Sequence, residues 1–190
     1  MFLHAMHTAQ AGSTAIVIIT EDTDVLVMFI SFAHNSSCPL YRKCGKQNRT
    51  LFINVGQIIA SIGNDICDSL IELHAFTGCD TLSAFAESGN VKALGMIERQ
   101  ESDQKVFSEL GKTWEVTTEM FDKIQQLTCH KYASSAKAND VNELRYQLLC
   151  AKRVELDSSQ LPPSKDCLLM HTLRATYQAA IWRHCLEAQP

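Results

Sequence analysis

Ala15-Ile16-Val17-Ile18-Ile19-Thr20-Glu21-Asp22-Thr23-Asp24 is the stretch on which the architecture of this chain turns. An unbroken run of five apolar residues, four of them β-branched, has the composition of a strand buried in a parallel sheet. The run stops at Thr20, and two aspartates follow with a single residue between them. In open α/β sheets the binding crevice lies beyond the carboxyl ends of the strands, which is where Asp22 and Asp24 stand. Paired carboxylates offer the hard oxygen donors that Mg²⁺ or Mn²⁺ takes. Solvated turn residues are the plainer reading, because Asp favours strand-to-helix turns.

On the N-terminal side, Phe2, Met6 and Ala9 recur at helical spacing with Leu3 beside them, and Gly12 suits the position just past a helix end. On the C-terminal side, Val25-Leu26-Val27-Met28-Phe29-Ile30 is too short for periodicity to choose between helix and strand. Residues 39–55 read as a hairpin with a polar turn at Gly45-Lys46-Gln47-Asn48. Residues 57–76 read as a helix in two pieces broken at Gly63-Asn64 and closed by Thr77-Gly78-Cys79-Asp80-Thr81. No strand pattern follows Ser83. Helical patterns cover 90–99, 104–110, 119–127, 141–153 and 166–187, with Pro162-Pro163 suited to the first turn of the last. The expected architecture is α/β: an incomplete parallel sheet with a small hairpin over residues 1–82, then an all-helical half over 83–190.

Composition sets bounds without choosing a function. The 190 residues are 46% hydrophobic and 20% charged, which fits a chain that buries a core rather than a disordered one. A formal charge of −4 opposes unaided binding to a phosphate backbone, although a locally basic groove remains compatible with it. No apolar run reaches membrane-span length, and no basic segment followed by an apolar block opens the chain. An intracellular protein, nuclear or cytoplasmic, is therefore expected. The eight cysteines form no CxxC pair and read as reduced thiols; their spacings, including Cys129 beside His130, fit no common zinc finger.

Asp80 completes the acidic pattern. Gly78, two residues before it, permits a close backbone approach or an unusual turn that aims the carboxylate. Carboxylates from separate segments can bring two cations to about 3.5–4 Å, where they clamp the attacking and leaving oxygens of a phosphate. The order of helix, glycine, apolar strand, Thr20-Glu21-Asp22-Thr23-Asp24, helix ending in Thr77-Gly78-Cys79-Asp80, and further helices resembles the flap-endonuclease branch of the PIN-like nucleases. The resemblance implies a partial PIN-like (Rossmannoid) core over 1–82. It also implies Asp22, Asp24 and Asp80 as catalytic, metal-ligating carboxylates, Mg²⁺ or Mn²⁺ as cofactor, and structured DNA or RNA as substrate. A helix-hairpin-like segment over 83–101 stands where that family holds duplex DNA, and helices over 102–190 follow. Lys92, with Arg42 and Lys43 of the hairpin, are the candidate nucleic-acid contacts; the plainer reading of the hairpin cations is solvation.

Residues 73–85, 141–146 and 171–182 are similar to a group of mobile-element-associated animal proteins that has no settled activity. Longer members carry a Glu-Ala-Asp-Thr-Arg-like stretch immediately before the Leu-His-Ala segment that opens this chain at Leu3-His4-Ala5. The expectation is a chain truncated at both ends, with part of the acidic site missing, an open sheet edge and little turnover. The alternative is a non-catalytic remnant or interaction module that meets a protein partner through that edge or through the C-terminal helices. Three further expectations are plain. His74 is a packed or hydrogen-bonded residue, Glu21 points away from Asp22, and Leu168, Leu169, Tyr177 and Trp182 are packing residues. A haloacid-dehalogenase-like phosphatase also opens on a strand with Asp-x-Asp, but it wants Thr or Val where this chain has Leu26.

Overall fold

The computed structural model describes residues 2–33, 38–46, 49–85, 94–95, 97–98, 101–134, 137–151 and 161–186. In chain order these form α1 (Phe2–Gln10), β1 (Ile16–Ile19), α2 (Thr23–Ala33), β2 (Leu40–Cys44), β3 (Leu51–Asn54), α3 (Val55–Ile62) and α4 (Asn64–Thr77). Then come α5 (Glu101–Glu109), α6 (Thr118–Tyr132), α7 (Val141–Ala151) and α8 (Lys165–Arg183), which ends in a 3-10 turn at His184–Leu186. Mixed α/β with a predominance of helix is the observed class. The segment expected to resemble a helix hairpin, 83–101, lies mostly outside the described residues, and Lys92 lies outside them too. Among the described residues, no helix is long and apolar enough to cross a membrane.

The sheet has three strands in the order β1-β2-β3. β1 pairs in parallel with β2, from Ile16↔Leu40 to Ile19↔Lys43, and α2 supplies the crossover that a parallel pair requires. β2 and β3 form the expected hairpin, from Tyr41↔Asn54 to Cys44↔Leu51. One expectation is corrected here. The continuous apolar run of β1 reads as a strand covered on both faces, but the sheet is covered on one. Ile16 and Ile18 point into the core, whereas Val17 is 49% and Ile19 73% exposed.

The ambiguous run 25–30 is the interior of α2. Val27, Met28, Phe29 and Ile30 are all buried. A helix apolar on every side is one enclosed on every side, so no amphipathic period could mark it. Asn54 caps α3 by accepting from the Gln57 N–H at 3.2 Å, and Gly63 separates α3 from α4 as the sequence indicates.

Helix α4 joins two apolar clusters. Cys67 belongs to the sheet-side cluster with Ile16, Ile18, Phe29, Leu40 and Val55. Ile66, Ile71, Leu73, Ala75 and Phe76 belong to the helical one with Phe107, Leu110, Ile124, Leu144 and Leu168. Helix α8 lies along α4 with a buried stripe that includes Leu168, His171, Thr172, Ala175 and Ala179, mostly small side chains that allow a short interaxial distance. His171 bonds through Nε2 to the Phe76 carbonyl at 2.7 Å and so satisfies a C-terminal carbonyl of α4. Burial holds its imidazole below the usual pKa. The prolines at 162 and 163 precede the Ser164 cap rather than enter the first turn; Ser164 accepts from the Cys167 N–H at 3.3 Å. Tyr177 departs from the packing role expected of it, because it is 59% exposed.

Candidate metal centre

The turn after β1 is fixed by its own polar groups. Thr20 Oγ1 accepts the Asp22 N–H at 3.1 Å, and Asp22 Oδ1 accepts the Asp24 N–H at 2.8 Å. Asp22 is thereby the N-cap of α2, and Asp24 lies in the helix's first turn, where the dipole favours a carboxylate. The neighbouring strand braces this turn from outside. Arg42 donates from Nε to the Thr20 carbonyl at 3.0 Å and from Nη2 to the Glu21 carbonyl at 2.7 Å. Glu21 faces away from the aspartates, and its Oε1 accepts the Gly45 N–H at 2.7 Å.

Asp80 arrives from the far end of α4. The Gly78 N–H bonds the His74 carbonyl at 3.1 Å, and the chain then turns at φ 117°, in the left-handed half of backbone space. Crowding adds a second requirement for glycine: a Cβ at residue 78 would stand 2.7 Å from Cα and Cβ of Ala84. Cys79 and Leu82 then exchange backbone hydrogen bonds at 3.2 and 3.1 Å, which leaves Asp80 at the tip of a tight turn. Both readings of Gly78, close approach and unusual turn, hold.

These two constructions converge. One ligand oxygen from each of Asp22, Asp24 and Asp80 lies within 4.8 Å of the others, with Asp24 half-buried and the other two exposed. His74, 5% exposed, bonds through Nε2 to Asp24 Oδ1 at 2.7 Å. Its hydrogen-bonded role matches the expectation. The partner it chose, a candidate ligand, was legible only as the residue one turn before Gly78. Trp182 stacks on the ring of His74, with centroids 5.8 Å apart and planes at 15°. The Thr81 hydroxyl donates to Gln178 Oε1 at 2.9 Å, so α8 supports both halves of the cluster. No sequence pattern pointed to Gln178.

The donor chemistry fits a hard divalent cation. Three carboxylates this close repel one another unless a cation neutralises them. Hydrogen bonds engage Oδ1 of Asp22 and Oδ1 of Asp24, while the remaining oxygen of each, and both of Asp80, accept none among the described residues. Hydrogen-bonded ligand carboxylates are also what metal sites use to fix their donors. Lys43 lies over the Phe52 ring, with Nζ 5.8 Å from its centroid. Among the described residues no other group of three ligating side chains gathers; all eight cysteines are free thiols, and burial pushes the Cys129 thiol up to about 11. Comparison with protein-family models, with curated proteins and with solved structures yields no match.

Proposed function

We propose that this chain carries the core of a PIN-like, divalent-metal-dependent nuclease, acting on structured nucleic acid or derived from a protein that did. One observation supports this above the rest: carboxylates from opposite ends of the α/β half meet within 4.8 Å. Asp22, Asp24 and Asp80 are the residues that would hold Mg²⁺ or Mn²⁺. When bound, such a cation neutralises the phosphodiester and the charge that develops on its oxygens. The chain's own groups prepare the place: Asp22 caps α2, His74 orients Asp24, Gly78 aims Asp80, and Arg42 clamps the turn. Three carboxylates balance one dication comfortably and two poorly. Cation binding is therefore expected to be weak and single-site, and phosphodiester cleavage slow.

The test pairs Mn²⁺ titration with cleavage of flap, hairpin and single-stranded substrates, for the wild type beside the double variant Asp22→Asn/Asp80→Asn. Mn²⁺ binding and residual cleavage that both vanish in the double variant support the site. Equal binding in the two proteins removes it, and rapid variant-sensitive turnover refutes the incompleteness of the acidic set.

A second reading, an interaction module of a mobile-element-derived protein, draws on the uncovered face of the sheet. Val17, Ile19 and Phe52 are all about half to three-quarters exposed there, and β1 pairs on one side only among the described residues. Open strand edges with apolar neighbours recruit other chains. Sedimentation over a range of concentrations checks this: association that Ile19→Lys and Phe52→Lys abolish supports it, and a monomer at all concentrations opposes it.

A further inference from the structure

Trp114 lies in the loop between α5 and α6 and is 53% exposed, an uncommon placement for so large an apolar ring. Its position is nonetheless fixed. Gly111, at φ 83°, brings this loop so near α8 that a Cβ there would meet the Ala179 Cβ at 2.7 Å. Trp114 then rests against two side chains of α8. Its centroid is 5.5 Å from that of Tyr177, which is 59% exposed, and 5.6 Å from that of His184, with planes at 20°. Two large aromatic surfaces are thus held in contact while more than half of each faces solvent.

The neighbourhood narrows the choice of ligand. Gln178, the residue after Tyr177, accepts the hydroxyl proton of Thr81, and Thr81 follows Asp80. Consecutive residues of a helix lie about 100° apart around its axis, so the aromatic pair opens on the flank of α8 beside the one that supports the carboxylates. Arg174, one turn before Tyr177, and Lys112, two residues before Trp114, are exposed cations; Glu115 is the acidic residue next to the ring in sequence. Bases of any identity stack on such rings, whereas a duplex keeps its bases stacked inside and offers mainly phosphates. A chain of net charge −4 gains little from phosphates alone. A generic protein partner would account for exposed aromatics equally well, and continuity with the carboxylates favours the nucleotide.

We propose that Trp114 and Tyr177 form a stacking platform for an unpaired nucleotide base beside the Asp22–Asp24–Asp80 cluster, so that the nucleic acid is single-stranded where it passes α8. This rests on the nuclease-like reading of that cluster and specifies the form of its ligand.

The experiment is fluorescence anisotropy with a labelled twelve-nucleotide oligothymidylate in EDTA, against a blunt duplex of the same length. Tighter binding of the single strand is expected, weakened roughly five- to one-hundred-fold by Trp114→Ala and by Tyr177→Ala, in line with the cost of losing one stacked base. Tyr177→Phe, which keeps the ring, and Tyr146→Ala, which removes a remote exposed ring, should both bind as the wild type does. Unchanged binding by folded Trp114→Ala overturns the proposal, as does equal affinity for duplex and single strand. Self-association that depends on Trp114 without oligonucleotide binding overturns it as well and marks a protein interface. Because EDTA removes cations, this titration reads the platform alone, while the Mn²⁺ titration reads the carboxylates; either can fail without the other.

Discussion

His74 joins the packed interior to the acidic cluster through one hydrogen bond, from its Nε2 to Asp24 Oδ1 at 2.7 Å. Removing a group that orients a ligand carboxylate typically lowers metal affinity about 10–100-fold. His74→Ala is expected to weaken Mn²⁺ binding by that factor, and His74→Gln to recover part of it; isothermal titration checks both. An unchanged Mn²⁺ affinity in His74→Ala would make the contact purely structural. Gly78 answers to a different constraint. A side chain there meets both a φ of 117° and the Ala84 backbone at 2.7–2.9 Å, so Gly78→Ala should cost roughly 2–4 kcal/mol in urea unfolding. At this scale the sequence was informative where chemistry and chain geometry coincide, as in the strand-end aspartates and the Gly-x-Asp. Arg42 was not readable as a clamp, because its partners Thr20 and Glu21 reach it only through the β1–β2 register. Tyr177 was not readable as exposed, because what lies beside it is a loop some sixty residues upstream, and only the Gly111 approach brings that loop to α8.

Helices carry the arrangement of the site, and two of them show why element type was easier to read than element environment. The limits of α3 and α4 follow from Asn54 and Gly63, local signals that need no tertiary knowledge. The enclosure of α2 and the uncovered face of β1 depend on what packs against them, and the runs 15–19 and 25–30 look equally apolar in sequence. Helix α8 is the most consequential element for the site, since Gln178, Trp182 and His171 all reach α4 or its C-terminal turn from it. The approach of the Gly111 loop to α8 requires a small residue at position 179, which is fully buried against Gly111. Ala179→Leu should therefore overpack the contact and destabilise the fold by about 1–3 kcal/mol. If α8 supports the cluster as described, the same variant weakens Mn²⁺ binding under conditions where it remains folded. Wild-type stability by urea unfolding would show that the contact relaxes freely.

Across the whole molecule, one buried carboxylate ties the two apolar clusters' shared helix to the end of α8. Glu72 of α4 is fully buried and paired with Arg183, whose Nη2 also donates to the Asp68 carbonyl at 2.5 Å. Glu72 Oε2 has no hydrogen-bond partner among the described residues. Burial pushes its pKa from 4.5 up to about 7, with the Arg183 guanidinium and, more weakly, Lys112 pulling the other way. The folded state thus holds the Glu72 proton more tightly than the unfolded chain does. Between about pH 4.5 and 7 the unfolded chain has released that proton and the folded protein has kept it, so this group makes stability fall as pH rises through the window. At 1.36 kcal/mol per pK unit the full contribution is on the order of 3 kcal/mol, level below the window and above it. Urea unfolding at half-unit steps from pH 4.5 to 8 reads it directly: Glu72→Gln should lack this slope and gain on the wild type as pH rises. Arg183→Met should lose roughly 3–5 kcal/mol at pH 8, where it strands a buried charge, and much less at pH 5, where Glu72 is neutral. A Glu72→Gln variant whose stability tracks the wild type at every pH would show that the ion pair, rather than the proton, satisfies this carboxylate.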